Sequence, residues 1–177
     1  AEMGYQGASV AIQPSTGAIK SMASTPSFDQ NALVGEGAEE AWAELTSTEG
    51  NPLLNHATQE TLPPGSIFKI ITAAAGIEAG YGPESTLTGA PAITLPNTTT
   101  ELTNYAGQAC AGSDAVSLLT AFQYSCNTAF VEMGIDIGTD ALRDTAHAFG
   151  IGETYDLGIP TSPGALGAVS YTHLRAH

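Results

Sequence analysis

The chain has 177 residues, 42% of them hydrophobic, and its 18 Asp and Glu against four Lys and Arg give a formal net charge of −14. That length and composition suit one globular core, a single domain or part of one, while so negative a field repels phosphate backbones and anionic headgroups and excludes nucleic acid as an expected partner. No stretch approaches the roughly 20 apolar residues of a bilayer-spanning helix, and no charged-then-apolar leader opens the chain at Ala1, so any anchor or signal is expected outside these residues.

The opening segment alternates from Ala8 to Ile12, breaks at Pro14-Ser15-Thr16-Gly17 and resumes from Ala18 to Ala23, which predicts a β-hairpin. Ser24 to Gly35 carries Pro26 and no clear period. Ala38 to Leu45 predicts a short helix with acidic residues near its start, where the helix dipole favours them, and with Trp42 as a packing residue. From Ser66 to Ala79, between Pro63-Pro64-Gly65 and Gly80, start and stop signals frame a helix that is apolar almost all round. Its polar residues Ser66, Lys69 and Thr72 recur every third position and form one narrow stripe, so the helix is expected in the core. Tyr81 to Gly112, rich in Thr, Pro, Gly and Asn, reads as a loop-rich surface excursion with a strand at Ala92 to Leu95. Ser117 is expected to cap a helix over Leu118 to Tyr124. Ser125-Cys126-Asn127 interrupts the helical spacing, which resumes over Thr128 to Ile135. A further helix, capped by Thr139 or Asp140, runs to Phe149, and Gly150 ends it, before a Pro- and Gly-rich loop over Gly152 to Gly167. The two cysteines, Cys110 and Cys126, are compatible with a disulfide or with free buried thiols.

Ser66 and Lys69, three apart on a helix, have Cβ atoms about 5–6 Å apart on one face, so hydroxyl and amine can meet. A serine hydroxyl is a poor nucleophile unless a base takes its proton, and a lysine can do so only with a lowered pKa. The flanking Ile67, Phe68, Ile70 and Ile71 supply the apolar surroundings that disfavour an ammonium. Unsatisfied N–H groups of the first helical turn lie ready for a developing oxyanion. A serine after Pro-Pro-Gly is commonly only an N-cap, and a helical lysine is usually solvated. Cap, spacing and the lack of a hydrophilic face together favour Ser66 as nucleophile and Lys69 as its base.

Ser-x-x-Lys is the first of three signatures shared by penicillin-binding proteins and class A β-lactamases. Leu62 to Thr72 resembles the active-site helix of class B penicillin-binding proteins, the monofunctional transpeptidases of bacterial cell-wall synthesis, and Asn51 to Thr58 is similar to the segment preceding it. The second signature, Ser-x-Asn, is matched by Ser125-Cys126-Asn127 about 60 residues after Ser66. By that resemblance Ser125 relays a proton to the leaving group, and the Asn127 amide bonds substrate backbone and lysine. The likeness extends over about residues 7 to 160, and is greatest to the actinobacterial branch often called penicillin-binding protein A, where a Cys also fills the middle of the triplet. It implies an α/β (α+β) fold of the serine β-lactamase and D,D-peptidase kind, an antiparallel sheet flanked by helices. It further implies acyl transfer on the D-Ala-D-Ala of a peptidoglycan stem peptide through an acyl-enzyme on Ser66, acylation of that serine by β-lactams, and no metal or cofactor. Cell-division or elongation membrane proteins are the protein partners such a family suggests, at the extracytoplasmic face of the bacterial membrane.

The third signature, Lys-Thr-Gly or Lys-Ser-Gly, is missing, since the only lysines are Lys20 and Lys69. The expectation is therefore a partial transpeptidase domain over residues 1–168, truncated before the Lys-Thr-Gly strand and inactive alone. Residues 169–177, which hold His173 and His177, read as a non-native tail and not as a metal pair, for want of a third ligand. His147 lies near Arg143 on a surface helix, and no Gly-x-Ser-x-Gly elbow exists to suit a triad with His147 or His56. A D,D-carboxypeptidase or β-lactamase of the same fold, and a non-enzymatic β-lactam sensor domain, share these motifs. Ser-Cys-Asn in place of Ser-Asp-Asn argues mildly against the β-lactamase.

Overall fold

Alternation at the start of the chain becomes two antiparallel strands in the structure, a computed structural model that describes residues 5–166; the tail with His173 and His177 lies outside them. β1 (Gly7–Ile12) pairs with β2 (Ile19–Thr25) from Gly7↔Thr25 to Ala11↔Ser21, and the register slips at Ile12. Gln13 N–H donates to Ala18 O at 2.9 Å across the turn. This hairpin belongs to the first of two compact units, Ala1–Leu62 with Thr154–Pro163. In the same unit the Asp29 carboxylate caps a 3-10 turn over Gln30–Leu33 by accepting from Asn31 N–H at 2.9 Å.

α1 (Ala38–Ser47) carries Glu39 and Glu40 in its first turn, as the dipole favours. Trp42, expected to pack, is instead 54% exposed. The stripe of Ala38, Ala41 and Leu45 is half-buried, with the turn over Gln30–Leu33 packed against α1, which leaves the indole at its edge.

The second unit, Pro63–Glu153 with Gly164–His177, holds the main core. Its first helix begins as a 3-10 turn over Gly65–Phe68, a common way for a helix to start, and continues as α2 (Lys69–Glu78). The expectation that this helix is enclosed on all sides is only half met. Lys69, Ile71, Thr72, Ala75 and Gly76 are buried, whereas Ile67 (72% exposed), Ile70 and Ile77 face outward. Of the polar stripe, Lys69 and Thr72 lie on the buried face, the side of α2 turned to α4 (Asn127–Ala148), while Ser66 at its start remains exposed. Gly76 permits that approach: a Cβ there would stand 2.6 Å from Met133 Sδ.

The stretch read as a surface excursion is more structured than its composition suggests. β3 (Thr86–Thr88) pairs antiparallel with β6 (Ala115–Ser117), and β4 (Ala92–Thr94) with β5 (Glu101–Thr103). β4 answers to the strand expected at Ala92 to Leu95, whereas β3, β5 and β6 are too short for alternation to reveal; Leu87 in β3 is buried, as are Leu95 just after β4 and Cys110 in a 3-10 turn. Gly89 is required where the loops cross, since a Cβ would collide with the Ser113 carbonyl. Cys110 and Cys126 form a disulfide across 16 residues.

Ser117 caps α3 (Leu118–Gln123) as expected, its Oγ accepting from Thr120 N–H at 3.1 Å. α4 runs beyond the break foreseen near Thr139, but Gly138 within it is non-helical (φ 83°, ψ 167°), so two helical stretches meet at that glycine. At its end Gly150 N–H donates to His147 O and Ile151 N–H to Ala146 O, a Schellman closure. Leu87, Val116, Leu118, Ala121, Ala129, Phe130 and Met133 pack around the disulfide.

Met133 is fully buried, so Met133→Ala is expected to cost about 2–5 kcal/mol. Replacing both cysteines by Ala should cost about 3 kcal/mol by freeing the loop they close. Urea unfolding checks both; midpoints unchanged from the parent would contradict the core described here.

Candidate active site

α3 ends in a Schellman motif that places the next residues with little freedom. Ser125 N–H donates to Phe122 O at 3.1 Å and Cys126 N–H to Ala121 O at 2.9 Å, so Ser125 occupies the left-handed position that glycine usually fills. Its φ is 55°, a conformation costing a non-glycine residue on the order of 1 kcal/mol. The disulfide fixes Cys126 from the other side. Ser125-Cys126-Asn127 is thus a rigid corner between α3 and α4, and it turns both polar residues toward α2.

Lys69, only 8% exposed, reaches that corner. Its Nζ lies 2.6 Å from Ser125 O, 2.6 Å from Asn127 Oδ1, 3.0 Å from Ser125 Oγ and 3.3 Å from Ser66 Oγ. The Asn127 amide orientation follows from its other end, where Nδ2 donates to the β5 carbonyl Thr103 O at 2.9 Å. A carbonyl only accepts, so Oδ1 must be the atom turned to the lysine. The Phe130 ring centroid lies 5.8 Å from Nζ.

The character of these partners decides what the amine can do. Two of the four, Ser125 O and Asn127 Oδ1, are pure acceptors at the shortest distances and take two N–H bonds. The remaining direction points at the two hydroxyls. An ammonium would fill it with a third N–H; a neutral amine presents its lone pair there, able to accept from Ser66 or Ser125. Burial pushes the Lys69 pKa down to about 8, so the neutral form is accessible near physiological pH.

The structure therefore brings Ser66, Lys69, Ser125 and Asn127 together. Ser66 is not a helix cap: no side chain caps the turn over Gly65–Phe68, and the Ser66 hydroxyl faces Lys69. His56 stands outside this group, in the first unit, with Nδ1 2.9 Å from Glu60 Oε2 and Nε2 2.9 Å from Gly50 O. Both ring nitrogens face acceptors, and the hydrogen bond to the Glu60 carboxylate raises its pKa, so His56 ties together segments of the first unit. His147 is exposed, 3.0 Å from Ile151 O through Nδ1. Sequence reasoning missed Thr103, whose contribution is a backbone carbonyl and leaves no side-chain signal. Among the described residues no group of three or more His, Cys, Asp and Glu is placed to hold a metal, and no helix is long and apolar enough to cross a membrane.

A lysine whose pKa falls on folding makes stability depend on pH in a definite direction. Below about 8 both folded and unfolded chains carry the proton, and the cost of burying the ammonium is fully felt. Between about 8 and the ordinary 10.5 only the unfolded chain keeps it, so stability rises with pH across that window. Tyr81, raised to about 12 by its hydrogen bond to Asp136, adds an opposite slope above pH 10. Urea midpoints between pH 7.5 and 9.5 should climb for the parent relative to Lys69→Met; parallel curves would mean that Lys69 titrates as an exposed lysine.

Comparison with known proteins matches this geometry to a family. Residues 7–166 match the penicillin binding protein transpeptidase domain. The chain is 49% identical over 149 residues to the peptidoglycan D,D-transpeptidase PbpA of Mycobacterium tuberculosis, covering 82% of this chain, and 48% identical to PbpA of Mycolicibacterium smegmatis over the same share. It spans 30% of the length of these relatives. A solved structure of penicillin-binding protein A from M. tuberculosis, a penicillin G acyl-enzyme complex, superposes with a TM-score of 0.90 at 42% identity, covering 96% of this chain and 40% of that one. Pseudomonas aeruginosa PBP2 superposes with a TM-score of 0.75 at 36% identity, covering 85% and 32%. With its Ser-x-x-Lys helix and Ser-x-Asn corner in the mixed helix and strand fold of these structures, the chain belongs to the penicillin-binding protein transpeptidase domain family.

Proposed function

We propose that this chain carries the nucleophile half of a serine D,D-transpeptidase site, with Ser66 as nucleophile, Lys69 as general base, Ser125 as proton relay and Asn127 as substrate-binding amide. The observation that carries this reading is the buried Lys69 amine, whose two N–H bonds go to carbonyl oxygens and whose third direction meets the Ser66 and Ser125 hydroxyls. The neutral amine takes the Ser66 proton as Oγ attacks the carbonyl carbon of the penultimate D-Ala of a stem peptide. Collapse of the tetrahedral intermediate breaks the C–N bond. Ser125, within reach of the same amine, passes the proton to the departing D-Ala nitrogen, leaving an ester on Ser66. An amine of a neighbouring stem peptide then attacks the ester, forms the cross-linking amide and restores the hydroxyl. A β-lactam acylates the same oxygen by opening its ring.

The relatives' names, peptidoglycan D,D-transpeptidase, and the penicillin G acyl-enzyme of a structural neighbour support this reading. The site of action is the outer face of the bacterial membrane, where the cell-wall substrate lies, with membrane proteins of division or elongation as partners.

Expressed in its natural reading frame, the protein should bind fluorescent penicillin covalently, and Ser66→Ala should abolish the label. Lys69→Ala should slow acylation by about a hundredfold or more, and the parent's rate should rise with pH through about 8 as Lys69 loses its proton. Label retained on Ser66→Ala, or a Lys69→Ala rate within a few-fold of the parent, would remove the assigned roles. Product formed with an amine acceptor rather than with water separates transpeptidation from carboxypeptidation.

A further inference from the structure

Beside the Asn127–Thr103 hydrogen bond runs a second rung, one residue further along each strand of chain. Asn104, which follows Thr103 at the end of β5, meets Thr128, which follows Asn127 in the first turn of α4. Asn104 Oδ1 accepts from Thr128 N–H at 3.1 Å, and Nδ2 donates to Thr128 Oγ1 at 3.0 Å and to Ala90 O at 3.0 Å. Thr128 Oγ1 in turn donates to Ala90 O at 2.9 Å, and Asn104 N–H to Pro91 O at 3.0 Å. Both side chains are buried, Thr128 completely. Every hydrogen-bonding group of the Asn104 amide is therefore used, and none of these bonds touches Ser66 or Lys69.

α4 needs such a partner. Its N-cap is Cys126, which makes no side-chain capping bond and is committed to the disulfide. The free N–H of Thr128 is satisfied from across the fold by Asn104 Oδ1, where a helix would ordinarily use its own Ser, Thr, Asp or Asn.

We infer that Asn104 is a positioning residue, which caps α4 in trans, holds Thr103 O against Asn127 Nδ2 and thereby keeps Asn127 Oδ1 turned to the Lys69 amine. The inference rests on the role proposed above for Lys69 as base, and deepens it. With Asn104 removed, β5 is released from α4 and the Asn127 amide loses the carbonyl that fixes its orientation. A reversed amide would point Nδ2 at Nζ, where it opposes an ammonium and donates to the lone pair that the serine proton requires. The groups facing Nζ are Ser66, Ser125, Asn127 and the Phe130 ring, none of them a carboxylate.

The chain has two lysines, Lys20 and Lys69, so 13Cε NMR of lysine-labelled protein gives two signals, with Lys20 as internal reference. In Asn104→Ala the Lys69 titration midpoint should fall below the parent's by on the order of half to one pH unit, because the ammonium loses an acceptor while staying buried. Mere loosening of the fold would admit water and raise the midpoint toward 10.5, the opposite sign. Leu142→Ala, on the far side of Gly138, should destabilise the chain without moving it. Thr128→Val keeps the volume and deletes only the hydroxyl rung, and its midpoint should fall less but in the same direction; it decides the matter if Asn104→Ala does not fold. In the natural reading frame Asn104→Ala should acylate about ten- to a hundredfold more slowly with penicillin. A midpoint that stays or rises in the folded variant overturns the positioning role. A midpoint that falls while the parent itself is never acylated preserves that role and sinks the proposed function.

Discussion

A primary amine held out of water by carbonyl oxygens is the constraint around which the second unit is organised. An ammonium buried without a counter-ion is costly, and the four partners of Lys69 include no carboxylate. Neutral acceptors at 2.6 Å lower that cost without restoring the usual pKa, and the remaining tension favours release of the proton. A carboxylate in place of Asn127 would have done the reverse, by holding the lysine charged. The choice of amide over acid leaves the Lys69 pKa low, as the proposed role of base requires.

Several local oddities become intelligible as supports for that one group. Gly76 allows α2 to lie close on α4 so that Lys69 reaches the corner. The disulfide and the Schellman closure of α3 fix the corner itself, from opposite directions. Gly89 lets the chain beside Ala90 lie close against the Ser113 carbonyl, and Ala90 O is the shared acceptor of Asn104 and Thr128. These devices act on different parts of the chain and converge on a volume a few ångströms across.

The site was largely legible in the sequence because its chemistry is carried by side chains at fixed local spacing. Ser66 and Lys69 are related by helical periodicity alone, and the triplet at Ser125 announces itself by breaking a helical pattern. Their meeting across 56 residues came from resemblance, since no local rule connects α2 to α3. The hairpin, α1 and the Ser117 cap followed from alternation and capping residues. Of the short strands between Thr86 and Ser117 only β4 was foreseen, at Ala92 to Leu95; β3, β5 and β6 escaped because three residues give no period, and the Asn104 rung because a lone Asn in a Thr-rich stretch looks like a turn residue. Trp42 and the outward Ile67, Ile70 and Ile77 were misjudged for a different reason. Hydrophobicity says that a side chain prefers cover, but not which neighbour supplies it.

The left-handed backbone at Ser125 carries an evolutionary implication. A glycine would sit there with less strain and would keep both hydrogen bonds of the α3 closure, so a population selected for heat resistance alone would drift toward it. It would gain a tougher fold and lose the hydroxyl that faces Lys69. Serine at a place where the backbone prefers glycine gives up some durability and in exchange keeps a hydroxyl 3.0 Å from the amine.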